Sequence, residues 1–126
     1  MTPLNDKPFE VYLILAETLA GWKNPSTAEG QVVLQEHYKW GKMLKSMDKL
    51  LLAGPTDSDL WAMRKEPLNI GHITGVIMLK VSSREEAEML AQKDPFHIHG
   101  FRKNNVVSMK NAMTHDGLFE AFNNTI

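Results

Sequence analysis

The stretch Phe9-Glu10-Val11-Tyr12-Leu13-Ile14-Leu15-Ala16 decides how the rest of the chain is read. It alternates as a strand does, with Phe9, Val11, Leu13 and Leu15 on one face and Tyr12, Ile14 and Ala16 on the other. A strand with one wet face sets apolar residues against polar ones. Here both faces are apolar, which predicts a strand covered on both sides. Ile73 to Val81 repeats the pattern, with Ile73, Gly75, Ile77, Leu79 and Val81 set against Val76 and Met78.

The segments around these strands change period. Residues 17–27 hold Gly21, Asn24, Pro25 and Ser26 and read as a loop. From Ala28 to Asp48, Val33, His37, Trp40, Leu44 and Met47 fall within roughly an 80° arc at ~100° per residue, the mark of an amphipathic helix. Leu50 to Ala53 reads as a short strand stopped by Gly54-Pro55. Ser82-Ser83-Arg84-Glu85-Glu86 carries a capping-box signal for a second helix running to about Lys93. Ala87, Leu90, Ala91 and Asp94 share one face of it, and Pro95 disfavours helical geometry at Asp94 and should end it there. Asn104 to Lys110 reads as the last strand.

The order β-α-β-β-α-β is the ferredoxin-like α+β pattern, a four-stranded antiparallel sheet with two helices on one face. The other face is apolar too, and its simplest cover is a second copy of the same sheet. The expectation is a homodimer with sheets packed face to face. The tail, with Leu118, Phe119, Phe122 and Ile126 at helical spacing, would dock on the partner from residues 112–126.

A chain of 126 residues suits one domain with its own core. With no cysteine, thiol catalysis, thiolate metal sites and disulfides are excluded. A formal charge of −1 gives no reason to expect nucleic acid or an anionic membrane as partner. No window approaches the roughly 20 apolar residues of a spanning helix, and Met1 to Pro8 is polar where a signal peptide would be apolar. These features predict a cytoplasmic protein.

His37 and Asp94 are the candidate catalytic residues. Both lie on helix faces that should turn toward the sheet, where an imidazole or a carboxylate needs a partner. If the two helices share one sheet face, each can serve the other, and such a pair moves protons at neutral pH. A histidine on an apolar stripe also serves as a satisfied core residue, and an aspartate at a helix end as a cap. His97-x-His99 has a spacing usable for a metal if it lies in a strand, but a third ligand among His72, His115 and Asp94 is not linked to it by any known pattern. Two polar loop histidines are the better reading, and no metal is expected. The irregular segment 56–72 offers Trp61 and Met63 to line a pocket and Arg64 and Lys65 to meet an anionic substrate, against the default of solvated surface charge. Trp40, Met43 and Met47 read as core.

In this order His37, Leu52-Ala53-Gly54-Pro55, Ser82-Ser83-Arg84-Glu85-Glu86-Ala87, Asp94-Pro95-Phe96, Gly100-Phe101 and Val106-Val107 resemble the YCII-related (YciI-like) family over residues 9 to 111. The resemblance implies the dimeric α+β barrel and a His-Asp pair, His37 and Asp94 here, at a pocket between sheet and helices. It also implies chemistry of the kind represented by dehydrochlorination of a hydroxyquinol. The chain departs from the family pattern between Gly54-Pro55 and Ile73, at the strand end Met109-Lys110-Asn111, and past Met113.

The resulting expectation is a lyase or isomerase that transfers a proton on a small cyclic or phenolic metabolite. It uses His37 and Asp94, with Trp40, Trp61 and Arg64 as substrate contacts and no cofactor. The alternative is a non-catalytic small-molecule-binding or structural dimer module.

Overall fold

The computed structural model describes residues 9–56 and 70–109. The elements are β1 (Glu10–Thr18), α1 (Ala28–Ser46), β2 (Leu50–Pro55), β3 (Ile73–Val81), α2 (Arg84–Gln92), α3 (Pro95–Ile98) and β4 (Arg102–Ser108). The strands form one four-stranded sheet in the order β2-β3-β1-β4. Every pairing is antiparallel. This is the ferredoxin-like arrangement, with the two central strands being the two that read as apolar on both faces.

Each boundary has a local cause. Thr27 caps α1 by accepting the Gly30 N–H on its hydroxyl at 3.0 Å. The helix stops at Ser46, two residues short of the reading from periodicity, because the backbone turns left-handed at Asp48 with φ 59°. Ser83 caps α2 through Glu86 N–H at 3.1 Å. The return half of the box goes to the other serine, since Glu86 Oε1 accepts from Ser82 N–H at 2.8 Å. The α2 helix ends at Gln92, and Pro95 opens the separate one-turn helix α3. Gly100, at φ 74°, then turns the chain into β4.

Two strand limits differ from the sequence reading. Gly54 and Pro55 do not stop β2, because Pro55 still pairs with Gly75. β2 is an edge strand, where a residue without an N–H removes no ladder bond. β4 begins at Arg102, two residues early, held by the pairing of Arg102 with Thr18.

The core lies under the helices. Tyr12 and Ile14 of β1, Ile77, Leu79 and Val81 of β3, Trp40 and Leu44 of α1, and Ala87, Leu90 and Ala91 of α2 are packed together. A second cluster of Val33, Phe96 and Phe101, with Trp22 and Leu34 against it, joins α1 to α3. Met43 and Met47 are not core, at 40% and 46% exposure. Met47 is the C-cap of α1, where the helical period that placed it on the stripe no longer holds. On the opposite sheet face, Leu13, Leu15, Met78 and Val76 remain half-buried and Leu52 and Val107 exposed. Trp61, Arg64 and the tail 112–126 lie outside the described residues.

Glu86 gives this fold a pH dependence. Its carboxylate accepts from Lys49 Nζ at 2.8 Å as well as from Ser82. The Lys49 contact, then the Ser82 backbone bond, hold its pKa below the usual value of 4.5. A depressed folded pKa contributes stability above the unfolded pKa and loses it as pH falls through the folded one. Glu86→Gln is therefore expected to lower unfolding free energy by about 1 kcal/mol at pH 7. In urea titrations that deficit should shrink as pH falls below 4.5 and through the depressed pKa of Glu86. A deficit independent of pH would contradict the assignment.

Candidate active site

The site is assembled by one cap. Asp94 precedes a proline, which holds it extended at φ −62°, ψ 123° and leaves its side chain free to fold back over the first turn of α3. Its Oδ1 accepts the Phe96 N–H at 3.0 Å. The same oxygen lies 2.7 Å from Nδ1 of His37. Oδ2 accepts from Nδ2 of Asn104 on β4 at 3.0 Å. Asp94 is 0% exposed. A carboxylate this deeply buried needs several hydrogen-bond partners, and it draws them from α1, α3 and β4. It is therefore both the cap and the histidine partner that the sequence offered as separate readings.

His37 sits on α1 between Val33 and Trp40 on the helix stripe. Its ring stacks on Phe96 with centroids 4.1 Å apart and planes at 19°. Stacking fixes the ring plane, and the Asp94 contact fixes its rotation. A carboxylate accepts only, so Nδ1 carries the proton, and in the neutral ring Nε2 is left as a free acceptor. The side chain keeps 17% exposure. That exposure opens onto a cavity of about 560 Å³ between α1 and the β2–β3 edge of the sheet. Its walls include Trp22, Trp40, Gly54, Ile77, Phe96 and Arg102. The volume is in the range of small-molecule sites. Trp40 offers the cavity its ring only, because its indole N–H is spent on the Leu90 carbonyl at 3.1 Å.

Two other histidines, His97 and His99, go elsewhere. They lie in and just after α3, not in a strand. His97 Nδ1 accepts the Asn104 N–H at 3.2 Å, while His99 approaches Glu36 at 3.7 Å on the surface. Among the described residues no three His, Asp or Glu side chains are placed to hold a metal ion. No helix among them is long and apolar enough to cross a membrane.

Three contributors were not singled out from the sequence. Phe96 stacks on His37, Asn104 bridges Asp94 to the Ala91 carbonyl at 2.9 Å, and Arg102 lines the cavity. The Asp-Pro-Phe run was the available signal for Phe96. Asn104 stood at what read as a strand start and Arg102 in the loop before it, where polar residues default to solvent. Burial draws the Arg102 pKa below its usual value, with the charge of Asp94 opposing, and the guanidinium stays charged at neutral pH.

An antiparallel ferredoxin-like sheet, two helices on one face and a His-Asp contact at the cavity beneath them define an α+β domain with a small-molecule-sized pocket. The chain belongs to the YCII-related family, whose domain model matches residues 12–110. Among solved structures it is similar to 5-chloro-2-hydroxyhydroquinone dehydrochlorinase from Burkholderia phenoliruptrix AC1100, in complex with 2,5-dihydroxybenzoquinone. That likeness has a TM-score of 0.51 at 17% identity, covering 81% of this chain and 95% of that one. It is a likeness of fold. No curated protein matches the chain in sequence.

The geometry fixes a tautomer that can be read directly. In ¹⁵N-labelled protein, neutral His37 is expected to carry its proton on Nδ1, and Asp94→Ala should shift it toward Nε2. A wild-type ring protonated on Nε2 would mean that the 2.7 Å contact does not form in solution.

Proposed function

We propose that the cavity is the active site of a cofactor-independent lyase or isomerase acting on a small cyclic or phenolic molecule. His37 takes and returns the proton through Nε2. Asp94 holds the ring in the tautomer that leaves Nε2 basic, and stabilises the imidazolium once the proton has moved. The observation that carries this reading is the 2.7 Å contact of His37 Nδ1 with a wholly buried Asp94, made by a histidine that lines the cavity. A histidine that merely satisfied core polarity would have no use for a cavity of about 560 Å³ at its free edge. Trp40 gives the bound ring a flat apolar wall. Trp61 and Arg64 are proposed, from the sequence alone, to close over it.

The similar solved structure is a dehydrochlorinase holding a dihydroxybenzoquinone, which supports a hydroxylated ring as the first class to try. Exchange of a ring C–H of 2,5-dihydroxybenzoquinone into D₂O, followed by ¹H NMR, reads proton transfer without a known product. Wild type is expected to accelerate exchange, and His37→Ala to reduce that acceleration about 10²- to 10⁴-fold, the usual worth of a general base. Asp94→Asn should lose less than His37→Ala. Stabilisation by the quinone with no acceleration would favour a binding module. Acceleration unchanged in His37→Ala would sink the mechanism.

The assembly proposed with this reading is a homodimer. Leu13 pairs with Met78 and with Val107, Leu15 with Val76, and Leu52 with Met78, so these side chains share the sheet face away from the helices. A contiguous apolar face of this kind calls for a partner. Sedimentation should give a dimer at micromolar concentration and a monomer for Leu13→Glu. A wild-type monomer would overturn the assembly and leave the chemistry standing.

A further inference from the structure

The cavity holds a second charge that the proton-transfer mechanism does not use. Arg102 leaves the first position of β4 and, in the order β3-β1-β4, crosses β1 to reach β3. Small residues make the crossing possible. Ala16 lies beneath it, and a Cβ on Gly75 would meet Arg102 Nη1 at 2.9 Å. The guanidinium is thus pressed between the sheet and two rings, 4.8 Å from the centre of Phe96 and 5.2 Å from that of Trp22.

Its donors are poorly used. Nη2 makes one long contact to the Thr74 carbonyl at 3.4 Å, and Nε is buried with no partner. Among the described residues no carboxylate forms an ion pair with it, because Asp94, the nearest buried acid, is already engaged by His37, Phe96 and Asn104. Two cation–π contacts offset part of the desolvation cost of a guanidinium but supply no hydrogen-bond acceptors. A mostly buried cation with idle donors, lining a cavity whose other walls are largely apolar, is a site prepared for an anion.

We propose that Arg102 is the specificity residue of the cavity, and that the molecule held there is a planar ring bearing a negatively charged oxygen, an ionised enol or phenol or a carboxylate. The charged oxygen meets the Nη edge of Arg102 while the ring lies within reach of His37. This deepens the proton-transfer reading and rests on it for the ring being a substrate. The same cation then stabilises negative charge that builds on the ring oxygen as a carbon-bound proton leaves.

Two matched pairs test it, read by quenching of tryptophan fluorescence, since Trp22 and Trp40 both line the cavity. 2,5-Dihydroxybenzoquinone against its dimethyl ether tests the enolate, and 4-hydroxybenzoate against 4-hydroxybenzamide tests the carboxylate. At least one anion should bind 10-fold or more tighter than its neutral partner, and the pair that discriminates identifies the oxygen. Arg102→Gln should abolish the preference and Arg102→Lys retain part of it. His37→Ala should leave it intact, and so should Lys45→Gln at the exposed rim. A preference held by buried Arg102 persists in 0.5 M salt, whereas one held by rim lysines is screened away. Should Arg102→Gln not fold, Arg102→Lys and the salt series decide the matter. Equal binding within both pairs, or a preference that survives Arg102→Gln or disappears in salt, overturns the proposal even if His37-dependent exchange is present. Loss of exchange with the anion preference intact would instead remove the mechanism and keep the anion site.

Discussion

The structure depends on supplying one carboxylate with donors where no water reaches it. Asp94 is fully buried, and its oxygens are satisfied by an imidazole from α1, a backbone N–H of α3 and a side-chain amide from β4. Removing any one donor leaves a buried anion short of a partner, which costs on the order of 1–3 kcal/mol. The requirement therefore ties together three elements far apart in the chain. Asn104 reaches the carboxylate from a β4 register held by pairing with Ala16 on β1. The site geometry and the tertiary packing are one arrangement seen from two sides.

Much of this was legible because it is written in short-range patterns. The two-sided strands became the central pair, and Ile73–Val81 matched to the residue. The Ser82-Ser83…Glu86 signal became a working cap, although the two serines divided its two halves. His37 could be placed toward the sheet from helical period alone. What period cannot give is where an element sits in the sheet. Gly54-Pro55 is punctuation in a central strand and harmless at an edge, and the edge position of β2 follows only from the completed topology.

Arg102 was missed for a related reason. Charge beside a glycine turn ordinarily faces solvent, and nothing within a few residues says otherwise. Its burial is decided by Ala16 and Gly75, two small residues on other strands that leave room for a guanidinium to lie on the sheet. A long-range packing vacancy has no local signature. Met47 errs in the opposite direction. It keeps the helical phase in sequence after the helix itself has ended.

The two buried charges stand in different relations to the fold. Asp94 has its donors within the chain, so its desolvation is offset when the protein folds. Arg102 has one long hydrogen bond and two rings, and its backbone would pair with Thr18 whatever its side chain. Folding alone thus gives a reason for the aspartate and none for the positive charge of the arginine, which an apolar side chain of similar volume would replace at lower desolvation cost. A charge that the fold does not require, set at a cavity wall with donors unused, is explained by what enters the cavity. On that argument the Asp94–His37 contact is explained by the fold itself, whereas the charge of Arg102 is explained by the proposed anion site.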